Sequence, residues 1–223
     1  MQPVFVKHPR RWFAVWAALL ALGFVGVYGV DRAILAYSER VRASDYMTYV
    51  AEATHMAEVG QLEEAFIPLR EALALAPYAP EPHLVHGHLH YRLQQWEDAL
   101  LAYRRALQYG TPEIGARLNA MWASIQLGRY ADAVALGEVS IKSGFTSPVM
   151  VRYIAEAYYR AGDYAEAIPY IEEALKGYPN DLYLWEHLMQ AGRRTENEAL
   201  EQRARNRIQS IQGQLDAVSG AGL

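Results

Sequence analysis

The chain has 223 residues, of which 52% are hydrophobic, 21% charged and 12% aromatic, a balance typical of an ordered, folded protein. It contains no cysteine, which excludes a disulfide framework, a thiolate metal site and a cysteine nucleophile. The net charge is −4; Lys7, Arg10 and Arg11 give the first thirty residues +3 and leave about −7 for the rest. A broad attraction to phosphates is therefore not expected, and we predict no nucleic-acid partner.

The N-terminal part of the chain contains an uncharged apolar stretch over residues 12–30, which follows a short basic segment over 1–11. As a helix it is roughly 28 Å long, close to the roughly 30 Å hydrocarbon core of a bilayer. The stretch predicts a transmembrane helix, joined to the rest by a connecting segment over 31–45. A cleaved signal peptide is the alternative, but it usually has a shorter apolar stretch and an A-x-A cleavage site.

The basic residues around the apolar stretch predict its orientation. Lys7, Arg10 and Arg11 precede it without an accompanying acid, whereas Arg32, Arg40 and Arg42 follow it. The tighter cluster favours a cytoplasmic N-terminus. We therefore expect a single-pass protein of the cell inner membrane with the remainder in the periplasm; the opposite orientation, facing the cytoplasm, is the alternative.

The remainder of the chain repeats itself every 34 residues, in segments that begin at Tyr46, Pro80, Ile114 and Pro148. A turn column holds Gly60, Gln94, Gly128 and Gly162, and a column without exception holds Ala65, Ala99, Ala133 and Ala167. Small residues fit where helix backbones approach closely, so each segment predicts two amphipathic helices around a turn. Ser147 is a predicted N-cap, followed by proline at the first helical position.

This pattern resembles the tetratricopeptide repeat (TPR) family, most clearly in the fourth segment, where Tyr158, Gly162, Tyr164, Ala167, Ala174 and Pro179 occupy the family's columns. The resemblance covers residues 46–181 and implies an α-solenoid of four TPR helix pairs. With the transmembrane helix predicted from residues 12–30, the expected fold is all-α. The implied units are 46–79, 80–113, 114–147 and 148–181, followed by a capping helix or helices over 182–212 and a flexible tail over 213–223. A solenoid needs such a polar cap to cover its last apolar face.

Three residues depart from the family pattern. Pro68 and Pro169 lie at positions expected inside second helices, where each would remove a backbone hydrogen bond and bend the helix. Gly137 occupies a column of large residues and costs about 1 kcal/mol in helix propensity. We therefore expect the third unit to be the least stable.

The resemblance also implies that first helices line a concave surface that binds extended peptides or partner helices. The residues in the groove columns are Leu84, His88, Tyr91, Arg92, Leu118, Asn119, Trp122, Ile125, Arg152, Glu156, Tyr159 and Arg160. This set is apolar and aromatic with a fringe of arginines, which suits an amphipathic helix or an apolar segment flanked by acids. Packing within the stack is the alternative role for several of the aromatics.

Four histidines fall within eight residues at His83, His86, His88 and His90, with His55 in the preceding unit. Spacing of four places His86 and His90 on one helical face, as two zinc or copper ligands would require, with His55 as a possible third ligand. However, His83, His86 and His90 stand in columns that the family uses for internal packing. We therefore predict packed imidazoles and no metal site, and keep a periplasmic metal-handling or chaperone-like protein as the alternative function.

No enzyme motif is present: the sequence has no phosphate-binding Gly-rich loop before a lysine, no G-x-S-x-G and no H-E-x-x-H. We predict a protein that is not an enzyme and takes neither a cofactor nor a small-molecule substrate. The predicted function is a membrane-anchored TPR scaffold that binds a partner protein through its groove and supports the assembly or stability of a membrane protein complex.

Overall fold

The computed structural model describes residue 32 and residues 45–111 and 114–220. Throughout these ranges the regular secondary structure is α-helical. Helix α1 covers residues 45–58, and the helices that follow are α2 (Phe66–Leu75), α3 (Pro80–Arg92), α4 (Trp96–Gln108), α5 (Ile114–Gln126), α6 (Tyr130–Lys142), α7 (Pro148–Ala161), α8 (Tyr164–Gly177), α9 (Leu182–Arg194) and α10 (Glu198–Gly220). Consecutive helices pack against each other, and α5 also contacts α3 and α7, so these first helices form one continuous row.

The 34-residue period sets where the helices begin. First helices begin at Pro80, Ile114, Pro148 and Leu182, and second helices at Trp96, Tyr130, Tyr164 and Glu198. Ser147 caps α7 as predicted, because its side chain accepts a hydrogen bond from the Met150 amide at 3.2 Å. The period thus continues past residue 181, where the sequence pattern fades, and residues 182–220 form a fifth helix pair.

The turn between the two helices of each pair uses a left-handed residue. Gly60, Gly128 and Gly162 have φ values of 90°, 71° and 87°, which glycine adopts without strain. Gln94 and Glu196 stand in the same column with φ values of 58° and 55°. Glu196 thus forms the corresponding turn of the fifth pair. Because this residue is not a glycine, the sequence pattern does not indicate the turn.

The core runs along the array between the two rows of helices, and its close contacts depend on small residues. The alanines of the predicted column, Ala65, Ala99, Ala133 and Ala167, are all fully buried. A Cβ added to Gly87 would lie 2.7 Å from the Tyr103 ring, and one added to Gly137 would lie 2.7 Å from Ile154. Gly137 therefore serves the packing of α6 on α7, a role that helix propensity alone does not show.

The two prolines behave differently. Pro169 lies inside α8, as predicted. Pro68 instead lies in the first turn of α2, which begins at Phe66 rather than at Leu62, where the period would place it. Pro68 has no N–H to donate to the Glu64 carbonyl, and residues 62–65 form tighter turns, with the Phe66 amide bonded to the Glu63 carbonyl. The predicted mid-helix bend at Pro68 is therefore wrong.

The predicted membrane topology also needs correction. In the part of the chain that the structure describes, no helix is long and apolar enough to cross a membrane. The longest of these helices, α10, has 23 residues but carries acids and arginines along its length. The described residues therefore form an all-α helical array that does not include the predicted transmembrane helix, and a single-pass inner-membrane location is not supported. The stretch over residues 12–30 that prompted this prediction lies outside the described residues.

Candidate functional site

The row of first helices carries a concave groove that contains two pockets. The first, which we call the α3 pocket, has a volume of about 350 Å³. Its lining comes from α1, α3 and α5: Thr54, Ala57, Glu58, Val85, His88, Tyr91, Arg92 and Asn119. Tyr91 packs edge-on against Trp96 with ring centroids 5.3 Å apart, so the aromatic wall of this pocket is continuous with the core.

The second pocket, which we call the α7 pocket, has a volume of about 500 Å³ and is lined by Trp122, Arg152, Tyr153, Glu156 and Tyr183. Trp122 on α5 packs against Tyr153 on α7 with ring centroids 5.3 Å apart. Burial raises the pKa of Tyr91 and also that of Tyr153. Trp122, Tyr153 and Tyr183 form the aromatic lining of the α7 pocket.

A buried carboxylate forms part of the floor of the α7 pocket. Glu156 is 5% exposed, and its Oε1 accepts hydrogen bonds from Arg160 Nε at 2.5 Å and from the Tyr183 hydroxyl at 2.8 Å. On the other side, His187 Nδ1 lies 3.5 Å from Glu156 Oε2. A buried charge needs such partners, so Glu156 fixes Tyr183 and Arg160 in place and links α7 to α9.

The three predicted rim arginines all have partners within the protein. Arg92 donates to the Ala57 carbonyl, and Arg152 lies 3.3 Å from Asp181 and 5.9 Å from the centroids of the Tyr178 and Tyr183 rings. Arg160 is bound to Glu156. Because internal partners hold these guanidinium groups, the groove presents mainly aromatic surface, and attraction to acidic flanks of a ligand is weaker than the sequence suggests.

The structure separates the predicted groove residues into two sets. Those that line a pocket are His88, Tyr91, Arg92, Asn119, Trp122, Arg152 and Glu156. Ile125 is 1% exposed and belongs to the core. The half-buried Leu84, Leu118 and Tyr159 pack against core clusters, and Arg160 lies behind Glu156.

Two aromatic residues of the α7 pocket, Tyr153 and Tyr183, were not among the predicted groove residues. Tyr153 comes 34 residues after Asn119, so the period itself places both in one column. Tyr183 comes from α9, in the segment interpreted as a cap, and reaches the groove because a fifth helix pair continues the array.

The histidines of α3 have separate roles. His86 and His90 place their Nε2 atoms 3.0 Å apart, and burial, followed by the charge of His90, lowers the pKa of His86 to about 4. His83 Nε2 donates to the Pro77 carbonyl at 2.8 Å. His55 is exposed on α1. The described residues contain no group of three or more candidate ligands that could hold a metal ion.

A larger groove, of about 780 Å³, lies away from the concave face, between the start of α6 and the end of α7. Tyr130, Val134 and Tyr158 supply its apolar lining, and Asp132, Glu138 and Asp163 its acidic edge. Its Asp132 is paired with Arg104 at 2.6 Å. This surface provides a second site against which binding to the concave groove can be compared.

The stacked helix pairs and their open concave face define an α-helical repeat protein. More particularly, models of the tetratricopeptide repeat family match residues 84–148 and 148–191. Proteins with this fold typically bind protein partners and are typically not enzymes. A search of curated protein sequences finds no significant match.

Several solved structures share the fold. MamA residues 41 to the end from Desulfovibrio magneticus RS-1 align with a TM-score of 0.68 at 16% identity, over 78% of this chain and 96% of that chain. YrrB, described as a TPR protein with an unusual peptide-binding site, gives 0.70 at 15% identity, over 84% and 97%. PilW, described as a widely conserved type IV pilus biogenesis factor, gives 0.58 at 16% identity, over 74% and 77%.

Proposed function

We propose that the concave groove binds an apolar segment of a partner protein and that the protein acts as a scaffold for a protein assembly. The observation that carries this proposal is the α7 pocket, where Trp122, Tyr153 and Tyr183 line an open depression, with Trp122 and Tyr153 also packed against the core. Tyr183 is 41% exposed even though its hydroxyl is bound to Glu156. Aromatic residues held in this way provide much contact area and lose little conformational freedom when a ligand binds.

The form of the groove supports a peptide ligand in particular. The α3 and α7 pockets lie along one row of contacting first helices, so two side chains of one extended segment can enter them together. The peptide-binding site named in the description of YrrB is a structural precedent in a protein of similar fold. We infer an apolar or aromatic ligand segment, because the rim arginines already have internal partners.

The proposal can be tested by selecting peptides from a displayed random library on the purified protein. Trp122→Ala and Tyr183→Ala should each weaken binding of the selected peptides by roughly tenfold or more, the effect of removing a residue central to an interface. Phe145→Ala is a matched control, since Phe145 is also 41% exposed but lies outside the groove, beside Arg117.

The outcomes of this selection are distinct. Loss of binding in both groove variants with no change in Phe145→Ala supports the proposal. Peptides that bind all three variants as tightly as the native protein contradict it. If Val134→Ala alone weakened binding, the ligand would occupy the groove between α6 and α7 instead.

A further inference from the structure

One face of α3 carries two imidazoles that are in contact with each other and do not line the partner-binding groove. His86 and His90 lie one helical turn apart, with their Nε2 atoms 3.0 Å apart and their ring centroids 4.6 Å apart. The Phe66 ring of α2 packs against both, at 5.8 Å from His86 and 5.0 Å from His90. Both imidazoles are half-buried, so they are ordered by packing and still reachable from solvent.

A neighbouring amide determines which nitrogen of His90 carries the proton. His90 Nδ1 lies 2.6 Å from Gln95 Oε1, and an amide oxygen can only accept. The His90 proton is therefore on Nδ1, and its Nε2 lone pair points towards His86, which donates the hydrogen bond between the two rings. Hydrogen bonds of this kind orient the histidine ligands of metal ions and fix their tautomer.

The separation of the two nitrogens is compatible with two neighbouring ligands of one metal ion. With metal–nitrogen bonds of about 2.0–2.1 Å, two nitrogens 3.0 Å apart subtend an angle of roughly 95° at the ion. That angle is near the roughly 90° between neighbouring ligands in tetragonal Cu(II) and Ni(II) sites and well below the roughly 109° of tetrahedral zinc. Nitrogen ligands also bind Cu(II) more tightly than the other divalent first-row ions.

We propose that His86 and His90 bind one Cu(II) ion through their Nε2 atoms. On binding, the His86 proton moves to Nδ1, so that both Nε2 lone pairs face the ion. Asp98 is the nearby charge that favours a cation at His86, while Arg105 and His83 oppose one. The other coordination positions are open to water or to a donor from a bound partner.

The proposed site rests on two protein ligands. His55 does not join the pair, and the structure shows no group of three or more potential ligands among the residues it describes. The affinity for an ion bound by two ligands depends strongly on each imidazole. His55, exposed on α1, supplies a control for copper that binds to surface histidines in general.

The test titrates the full-length protein with CuSO4 in a buffer that does not chelate copper. Calorimetry gives the affinity, and electron paramagnetic resonance counts the coordinated nitrogens. We expect one Cu(II) per chain, with superhyperfine splitting from two nitrogens and weaker binding of Ni(II) and Zn(II). His86→Gln and His90→Gln should each weaken Cu(II) binding by more than about tenfold, and Gln95→Ala by about ten- to hundredfold with both ligands retained. His55→Gln should bind as the native protein does.

The result that overturns the proposal is unchanged Cu(II) affinity in His86→Gln and His90→Gln, or a spectrum of the native protein without two nitrogen ligands. Loss of affinity in His55→Gln equal to the loss in His86→Gln would mark adventitious binding and also overturn it. Circular dichroism checks that each variant is folded. If a variant is not folded, the electron paramagnetic resonance spectrum of the native protein decides whether two nitrogens bind the ion.

Discussion

The imidazole of His187 stacks on the phenol ring of Tyr159, with ring centroids 3.7 Å apart and 11° between the ring planes. Tyr159 belongs to α7 and His187 to α9, so the stack joins the fourth and fifth helix pairs beside the α7 pocket. Because His187 also faces Glu156 and packs on Tyr183, the fifth pair positions one wall of the groove.

Removing the Glu156 carboxylate should destabilise the protein. Glu156→Ala removes a buried carboxylate that accepts hydrogen bonds from Arg160 and Tyr183 and lies beside His187. We expect a loss of about 2–3 kcal/mol in the free energy of unfolding, measured by urea denaturation. Glu173→Ala is the control, since this 54% exposed side chain pairs with Lys176 one turn away and should change stability by at most about 0.5 kcal/mol. Equal effects of the two substitutions would contradict the role assigned to Glu156.

The pH dependence of stability should include a contribution from His187. Burial lowers the pKa of His187 below its usual 6.5, which outweighs the opposing effect of Glu156. The folded state therefore binds fewer protons than the unfolded state, so stability is retained above about pH 6.5 and falls as the pH decreases below it. His86 titrates in the same direction.

The variant His187→Gln isolates this contribution. Urea denaturation with a chelator present should give a free energy of unfolding that falls less steeply between about pH 7 and pH 5 than in the native protein. An identical slope in the variant would show that His187 titrates alike in the folded and unfolded states.

The close approach of α3 and α4 can be tested at Gly87. A methyl group there would lie 2.7 Å from the Tyr103 ring, and Tyr103 is fully buried. Gly87→Ala should therefore cost about 1–3 kcal/mol. Gly213→Ala is the matched control, because Gly213 lies in α10 with nothing within 4 Å of an added Cβ, and should stabilise the protein by up to about 1 kcal/mol. Thermal melts compare the two, and stabilisation by both would contradict the packing.

The left-handed turn column offers a reciprocal pair of substitutions. Glu196 has φ 55° and Gly162, in the same column, has φ 87° with open space around an added Cβ. Glu196→Gly should raise the free energy of unfolding by about 1 kcal/mol, and Gly162→Ala should lower it by about 1–2 kcal/mol. Effects of the same sign would show that residues 193–198 do not form the turn of a fifth helix pair.

Much of the fold could be predicted from the sequence because repeats impose the same local packing at each turn of the array. The alanine column and the helix starts at Pro80, Ile114 and Pro148 follow from this period. The fifth pair was predicted only as a capping helix or helices, because Glu196 replaces the expected glycine and α10 is strongly charged, although Leu184 and Leu188 are buried in its core.

The groove was harder to predict, because membership of a column does not determine burial. Tyr91, Ile125 and Tyr159 share one column, yet Tyr91 lines a pocket, Ile125 is in the core and Tyr159 is covered by His187. Whether a side chain in this column is buried depends on residues of neighbouring helices. The contacts of those residues depend in turn on the packing of the whole array.

The measurement that tests the central claim most directly is photo-crosslinking of the full-length protein in its native cells. A benzophenone amino acid replaces Trp122 in the groove or Phe145 outside it. We predict a discrete protein adduct from position 122 that disappears when a library-selected groove peptide is added to permeabilised cells, and no such adduct from position 145. Identical adducts from both positions, or an adduct from position 122 that the peptide does not displace, would contradict binding in the concave groove.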